Sequence, residues 1–366
     1  MKIVINCSNL KIGGGLQVAH SFLNEISNNQ AHTYFIILSN SLKDSIKTAE
    51  FSSNFNFLYY DLSPTILKVI TGKNRFLDGI VKREEIDVVF SVFGPTYWKP
   101  SVPHICGYAK PQYVYKESPF YQNISLKARL QLKFKEFLHL YDFKHHSDLL
   151  ISENQDVSER ISKMLHKKVV TVTNNYNQIF DKPDSWKLFS LPKFDGDLIL
   201  TVSVNYPHKN LKVIPKIIDE LQKRDIRKFK FVVALEQNAL SNNSKINEDI
   251  IYIGKVAIDQ CPFLYQQSKY MLLPTLLECF SASYAEAMKM EKIILTSDLG
   301  FAKSICKNAA IYFNPLNPID ILEKLLTIDQ NSRLQKDLVE KGKVRLMDFD
   351  TSKQRAEKYL EIISNT

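Results

Sequence analysis

Cysteine is sparse. Cys7, Cys106, Cys261, Cys279 and Cys306 are the five in 366 residues. Odd in number, scattered, and without a CxxC pair, they argue against a disulfide frame or a zinc site and suit reduced thiols. Long apolar runs are missing as well: no stretch reaches the roughly eighteen residues that a membrane-spanning helix needs. The opening "MKIVINCSNL" reads as a short strand rather than a secretion signal, so a cytoplasmic chain is expected. No short repeat or low-complexity tract is present. Two DxD patterns occur, Asp195/Asp197 and Asp348/Asp350. Neither follows an apolar strand as a metal site of that kind requires, so both read as turns or caps and no metal is expected. "TGKN" around Gly72 lacks the remainder of a P-loop.

What is present is an ordinary globular composition, 45% apolar and 24% charged, on a chain longer than one hydrophobic core usually serves. A formal charge of +9 calls for an anionic partner, whether nucleic acid, nucleotide or membrane surface. No recognition helix or RNA motif stands out, which leaves nucleic acid without a reader.

Strand-length apolar runs alternate with segments of helical period. "KIVIN", "TYFIILS", "FNFLYY", "DVVFSV", "HICGY", "SDLLISEN" and "KVVTVTN" come first. "LILTVSV", "FKFVVAL", "DIIYIG", "KYMLLPT", "KIILTS" and "AAIYFNP" follow a turn-rich interval. Val/Ile-rich strands alternating with helices are the pattern of parallel sheets covered on both faces. The chain therefore reads as α/β with two Rossmann-like units: residues 1–180, a linker over 181–195, a second unit over 196–345, and a final helix over 346–366 expected to return to the first unit. In such folds ligands collect where strands end.

Three strand ends stand out. In "IGGGLQVAH", Gly13, Gly14 and Gly15 sit between a strand and a helix, where bare backbone either approaches a phosphate or sugar or simply makes a tight turn. Val18 stands where a dinucleotide fingerprint needs its third glycine, and "IILSN" offers no acid for a ribose, so NAD and FAD are not expected. In "TVSVNYPHKNLKVI", Lys209 falls near a helix start, against the helix dipole unless an anion lies between. Asn205 and His208 either donate to the same anion or are a cap and a turn residue. In "LLPTLLECFSASYAEAMKM", Glu278 and Glu286 lie eight positions apart around a helix expected to start at Ser281 or Ser283. Carboxylates grip hydroxyls and repel phosphates. Either one glutamate merely sits at a helix start and the other is solvated, or the two border a ligand; a diphosphate over the helix start with a sugar at either end, a nucleotide sugar, fits the arrangement.

At this point the sequence resembles a family 4 glycosyltransferase of the GT-B fold, of the bacterial surface-polysaccharide type. The likeness runs through the glycine loop, "VVTVTNNYNQIF", "NYPHKN", the E-x7-E segment, "SDLG" and the closing "FDTSKQRAEKYLEII". It implies two parallel sheets facing across a cleft, and retaining, metal-independent transfer without a cofactor. The donor would be a nucleoside diphosphate sugar, the acceptor a glycan or lipid-linked glycan of O-antigen or capsule type. By position, Lys209 would meet the diphosphate and Glu278 the donor sugar, these two carrying the catalysis. Glu286 would hold the ribose, and Phe280, Ser281 and Ala282 would offer backbone to sugar and phosphates, with Gly14 and Gly15 approaching from the first unit. The sequence departs from the family pattern at Val204, which stands where an arginine is usual, and at Cys279 and Ser281, which stand where glycines are common.

The ring-rich stretch "FGPTYWKPSVPHICGYAKPQYVYKESPFY" offers Tyr108, Lys110, Tyr113, Tyr115 and Glu117 as an acceptor platform, or alternatively a local core. "SLKARLQLKFKEFLHLYDFKHH" mixes lysines with leucines and phenylalanines at helical spacing. It reads either as a helix lying on anionic lipid, making the protein peripheral to the inner face of the plasma membrane, or as a surface helix with a core face. A GT-B nucleotide-sugar epimerase and a non-enzymatic sugar- or nucleotide-binding protein remain the competing readings.

Overall fold

The structure, a computed structural model, describes residues 1–11 and 13–366; Ile12, at the head of the glycine loop, lies outside them. The described residues form two units. The first comprises Met1–Lys116, Asn123–Asn174 and Asp350–Thr366, the second Glu117–Gln122 and Asn175–Phe349.

In the first unit, β1 (Lys2–Cys7), β2 (Thr33–Leu38), β3 (Phe55–Tyr59), β4 (Val88–Ser91), β5 (His104–Tyr108), β6 (Leu149–Ser152) and β7 (Val169–Thr171) form one sheet in the order β3-β2-β1-β4-β5-β6-β7. Every pairing is parallel. Strands such as β1 and β4 are buried almost throughout, because helices cover both faces and leave no side for polar alternation. Phe22 on the Gly14–Ile26 helix, Phe90 on β4 and Tyr359 on the Ser352–Ser364 helix share this core. Phe22 meets the other two rings edge to face at 5.7 and 5.3 Å. The closing helix is also tied by polar contacts. Arg355 donates to Ser21 Oγ at 2.7 Å and to Asn174 Oδ1, and Asp350 accepts from the amide and hydroxyl of Thr173 at 3.0 and 2.9 Å.

In the second unit, β8 (Asp197–Thr201), β9 (Phe229–Val233), β10 (Ile250–Tyr252), β11 (Tyr270–Leu273), β12 (Ile293–Ser297) and β13 (Ile311–Phe313) form a six-stranded sheet, ordered β10-β9-β8-β11-β12-β13. All its pairs are parallel too. The order reverses direction between β8 and β11. The loops leaving these two neighbouring strands therefore border a crevice at the switch point, the place where α/β sheets hold ligands.

The division falls earlier than the expected linker at 181–195. Residues from Asn175 on already count with the second unit because their side chains are committed to it. Phe180 is buried 5.9 Å from Tyr265, and Trp186 donates to Ile179 O at 2.7 Å and meets Phe263 edge to face. The six residues Glu117–Gln122 join the same unit as a strap. The basic segment forms the helix Leu126–His145, in which only Asp142 and Phe143 are buried. Phe143 packs on Tyr108, and Leu132, Leu138 and Leu140 are half-buried, whereas Leu126, Leu130, Phe134 and Phe137 are exposed.

Candidate functional site

The Lys209 turn is shaped by its own sequence. Pro207 opens a single 3-10 turn, Pro207–Lys209, and Asn210 closes it in the left-handed region at φ 55°, a conformation that Asn tolerates better than most residues. Tyr206 O accepts from Lys209 N at 2.9 Å. The turn is also stitched to the loop that leaves β11: Leu276 N donates to His208 O at 2.7 Å, and Thr275 Oγ1 reaches the same carbonyl at 3.2 Å. Asn210 Nδ2 donates to Pro315 O at 2.7 Å, so the segment after β13 supports the turn from its other side. Asn205 is exposed just before it. The cap of the 3-10 turn is Tyr206, and no side-chain hydrogen bond caps it.

This stitching brings Lys209 Nζ against Glu278 Oε2 as an ion pair, with both side chains about one-sixth exposed (15% and 16%). Two residues from different strand ends, predicted to serve one ligand, thus meet. Past Glu278 the chain turns through Cys279 and Phe280, both buried. The helix Ala282–Lys289 then begins behind Ser281. Ser281 makes no side-chain cap, and the first turn carries no acidic residue. Tyr284 N donates back to Ser281 O at 3.2 Å, and at a helix start that no side chain caps the local field favours an anion. Phe280 packs edge to face on Phe349 at 5.4 Å, which fixes the backbone of the bend.

Glu286 takes a different position from Glu278. It is only 6% exposed, and its Oε2 accepts from the hydroxyl of Tyr265 at 2.9 Å. Burial pushes its carboxyl up from the ordinary 4.5 to about 7, against the Tyr265 hydrogen bond, which pulls it down. Tyr265, on the helix Cys261–Gln267, was not singled out from the sequence. Nothing in "CPFLYQQS" marks its ring as the one that reaches a glutamate 21 residues later.

His208 is half-buried between rings, stacked on Tyr206 at 5.6 Å and met edge-on by Phe120 at 6.4 Å. Burial first and Lys209 second lower its imidazole to about 4, so it is neutral at physiological pH and can offer one N–H but no charge. Phe120 belongs to the strap Glu117–Gln122, and the same strap's Ser118 donates to Leu276 O at 2.6 Å. The strap is the second element the sequence did not disclose. Beside the Lys209 turn lies an open cavity of about 540 Å³, lined by Pro119, Asp298, Tyr312, Asn314, Pro315 and Asn317 among others. Val204, the position at which the sequence departs from the pattern it otherwise resembles, is exposed.

In the first unit, Gly13 has φ 80°, a conformation open mainly to glycine. It precedes the helix Gly14–Ile26, which has neither a side-chain cap nor an acid in its first turn. A Cβ added at Gly14 would meet nothing within 4 Å, whereas one at Gly15 would touch Phe93 at 3.4 Å. Gly14 therefore presents bare backbone to open space.

The aromatic part of the acceptor expectation needs correction. Tyr108, Tyr113 and Tyr115 are 0–3% exposed, so their faces are spent on core packing. Tyr108 lies 4.8 Å from Phe143 and donates to Lys110 O at 2.9 Å. The Tyr113 hydroxyl meets His139 Nδ1 at 2.8 Å, with Tyr97 on the other ring nitrogen at 3.0 Å. The Arg160 guanidinium lies 5.0 Å above Tyr115. Lys110 is half-buried at the start of the Pro111–Val114 turn, and Glu117 is exposed at the head of the strap. Of the DxD residues, Asp197 pairs with Lys269 at 2.9 Å, Asp348 with Arg345 at 2.5 Å, and Asp350 with Lys358 at 2.5 Å.

Two all-parallel sheets, each with a reversal of strand order, define the GT-B class. Solved structures agree on the fold. Sucrose-phosphate synthase from Thermosynechococcus elongatus superposes with a TM-score of 0.71 at 10% identity, covering 100% of this chain and 99% of that one. WaaG, a glycosyltransferase involved in lipopolysaccharide biosynthesis, gives 0.69 at 13% identity with 100% of both chains covered. Residues 186–345 match the family of glycosyl transferases group 1, the stretch that holds Lys209, Glu278 and Glu286. The chain is also 21% identical over 200 residues to the O-antigen chain mannosyltransferase RfbU of Salmonella typhimurium, which is 54% of each. It thus spans about half the length of that curated relative.

Proposed function

We propose that the protein is a glycosyltransferase that moves a hexose from a nucleoside diphosphate sugar to a glycan or lipid-linked acceptor in the assembly of a bacterial surface polysaccharide. The observation that carries this is the Lys209–Glu278 pair, formed at the ends of β8 and β11 beside an uncapped helix start. A donor diphosphate placed over those helix N–H groups would take Lys209 from Glu278, freeing the carboxylate to accept hydroxyls of the transferred sugar. Glu286, buried behind the same helix start, is the acceptor for ribose hydroxyls. The similarity to RfbU and to WaaG supports the surface-polysaccharide setting.

Chemistry at such a site is mostly positioning and stabilisation of the leaving group. Lys209 and the helix N–H groups counter the charge that grows on the departing phosphate, and this charge set needs no metal. The departing phosphate oxygen takes the acceptor proton on the face it leaves, and the sugar keeps its configuration.

A thermal-shift panel of UDP-, GDP-, ADP- and dTDP-sugars, run with and without chelator, tests the reading, because a ligand of the folded state raises its melting point. One donor is expected to shift the protein equally in both conditions and to be consumed only with acceptor present. No shift from any donor, or consumption without acceptor, would remove the transferase reading; a shift that chelator abolishes would remove its metal-free part.

A further inference from the structure

The cavity beside the Lys209 turn belongs wholly to the second unit and lies at the ends of β12 and β13. Two backbone donors frame it: Asp298 N to Phe313 O and Asn314 N to Asp320 Oδ2, both at 2.7 Å. Its volume of about 540 Å³ suits a small-molecule site. Lys209, Glu278 and Glu286 do not line it, yet it is close to them. Pro315 forms part of its wall while the Pro315 carbonyl accepts from Asn210, the residue after Lys209. Pro119 forms another part, between Ser118 on Leu276 O and Phe120 against His208.

Its charges cancel. Asp298 is paired with Lys303 at 2.5 Å, and Asp320 and Lys324, one turn apart on the helix Pro318–Asp329, supply one charge of each sign. A phosphate would need surplus positive charge, and the helix start here is already closed by Asn317 Oδ1, which accepts from Ile319 N and Asp320 N at 3.0 and 3.2 Å. A metal ion would need more acids, and among the described residues no group of three His, Cys, Asp or Glu could hold one. What remains is polar groups of both kinds. Asn314 Oδ1 is likewise committed, to Leu316 N at 3.0 Å, so each amide is oriented with its Nδ2 donor left over, and neither Nδ2 has a partner among the described residues. Each carboxylate keeps lone pairs beyond its present partner. Tyr312 spends its hydroxyl on Lys307 O at 2.5 Å and so offers the cavity its ring, while Leu299 and the two prolines add apolar surface. An apolar ligand would strip the carboxylates of water without replacing it. A pyranose matches the set, with hydroxyls around its rim and C–H bonds on its face.

We propose that this cavity is a subsite for a neutral sugar residue of the acceptor glycan, one set back from the reacting end: Asp298 and Asp320 accept its hydroxyls, Asn314 and Asn317 donate to its oxygens, and the Tyr312 ring backs its C–H face. It rests on the proposed glycan acceptor and specifies where the second unit grips it. It also gives the glycan a carbohydrate surface that Tyr108, Tyr113 and Tyr115, buried in the first unit, do not.

The test is saturation-transfer NMR of the full-length chain with the methyl glycosides of mannose, galactose, glucose and N-acetylglucosamine, each alone and with GDP or UDP added. At least one glycoside binds, and neither nucleotide nor Lys209→Ala displaces it. Asp298→Asn/Asp320→Asn weakens that glycoside about tenfold, the loss expected when charged acceptors become neutral ones. Tyr312→Leu weakens it as well, whereas Tyr312→Phe, which keeps the ring, binds as the wild type does. The cavity variants keep the donor-induced thermal shift, which shows that they fold. Absence of any glycoside signal overturns the subsite, as does a signal that a nucleotide or Lys209→Ala abolishes. So does a double-asparagine or Tyr312→Leu variant that binds as well as the wild type. Glycoside binding that depends on Asp298 and Asp320, without a thermal shift from any nucleotide sugar, leaves the sugar site standing and sinks the transferase reading instead.

Discussion

Lys209 and Glu278 neutralise each other in the ligand-free protein, so neither carries an uncompensated charge in a site of limited solvent access, and a diphosphate must exchange one partner for another. Replacing Lys209 by Ala removes the only lysine of that turn while leaving its backbone hydrogen bonds intact. Turnover should fall about a hundred- to a thousandfold, the usual loss for one leaving-group donor. The melting point should fall as well, since Glu278, only 16% exposed, is left without its cation. Near-normal turnover would exclude Lys209 from the reaction.

Glu286 gives a pH signature of its own. Its folded-state value, about 7, lies above the ordinary 4.5. Below about pH 4.5 the carboxyl is protonated in both folded and unfolded chains, and burial costs nothing. As pH rises toward 7 the unfolded chain ionises first, so the folded state loses stability, and above 7 the loss is complete. Glu286→Gln keeps an acceptor for Tyr265 and has no charge to bury. Its melting point relative to wild type should therefore climb between about pH 5 and about pH 8. A difference that does not move with pH would place the ionised carboxylate in a more solvated setting than the structure gives it.

At the scale of elements, the glycine loop separates two roles that the sequence merges. Gly13 needs its positive φ, so Gly13→Ala should cost about 1–3 kcal/mol of stability. Gly14 is helical with open space where a Cβ would go. Gly14→Val should leave the melting point nearly unchanged and, if the backbone there meets the reacting sugar, reduce transfer. Loss of stability at Gly14 with none at Gly13 would reverse the assignment. The E-x7-E helix start was legible because it depends on local order: an apolar strand, a short loop, then a helix phase that brings Glu286 back toward its start. The Leu126–His145 helix was legible as a helix but not in its orientation. Its apolar stripe would look the same buried or exposed, and only packing reveals that Asp142 and Phe143 are buried and His139 meets Tyr97 and Tyr113, while Leu126, Leu130, Phe134 and Phe137 stay exposed. The same holds for Tyr108, Tyr113 and Tyr115, whose rings could as well have lined a surface.

Across the whole molecule, the strands could be read from sequence because parallel sheets covered on both faces demand uninterrupted Val/Ile/Leu runs. Where the units divide could not. The strap Glu117–Gln122 is six residues of ordinary loop composition, and the Asn174/Asn175 boundary depends on Phe180 and Trp186 finding Tyr265 and Phe263, contacts between residues some 77–85 apart. The last crossing, which returns Asp350–Thr366 to the first unit, makes that unit's core discontinuous in sequence. Tyr359 closes it against Phe22 and Phe90, so Tyr359→Ala should remove about 3–5 kcal/mol from the first unit alone. In calorimetry the two units are expected to give separable transitions. Tyr359→Ala should lower one, and a bound nucleotide sugar should raise the other, because Lys209, Glu278 and Glu286 all lie in the second unit. If the donor raised the transition that Tyr359→Ala lowers and left the other unmoved, the donor's main contacts would have to lie in the first unit, and the lysine turn would lose its role.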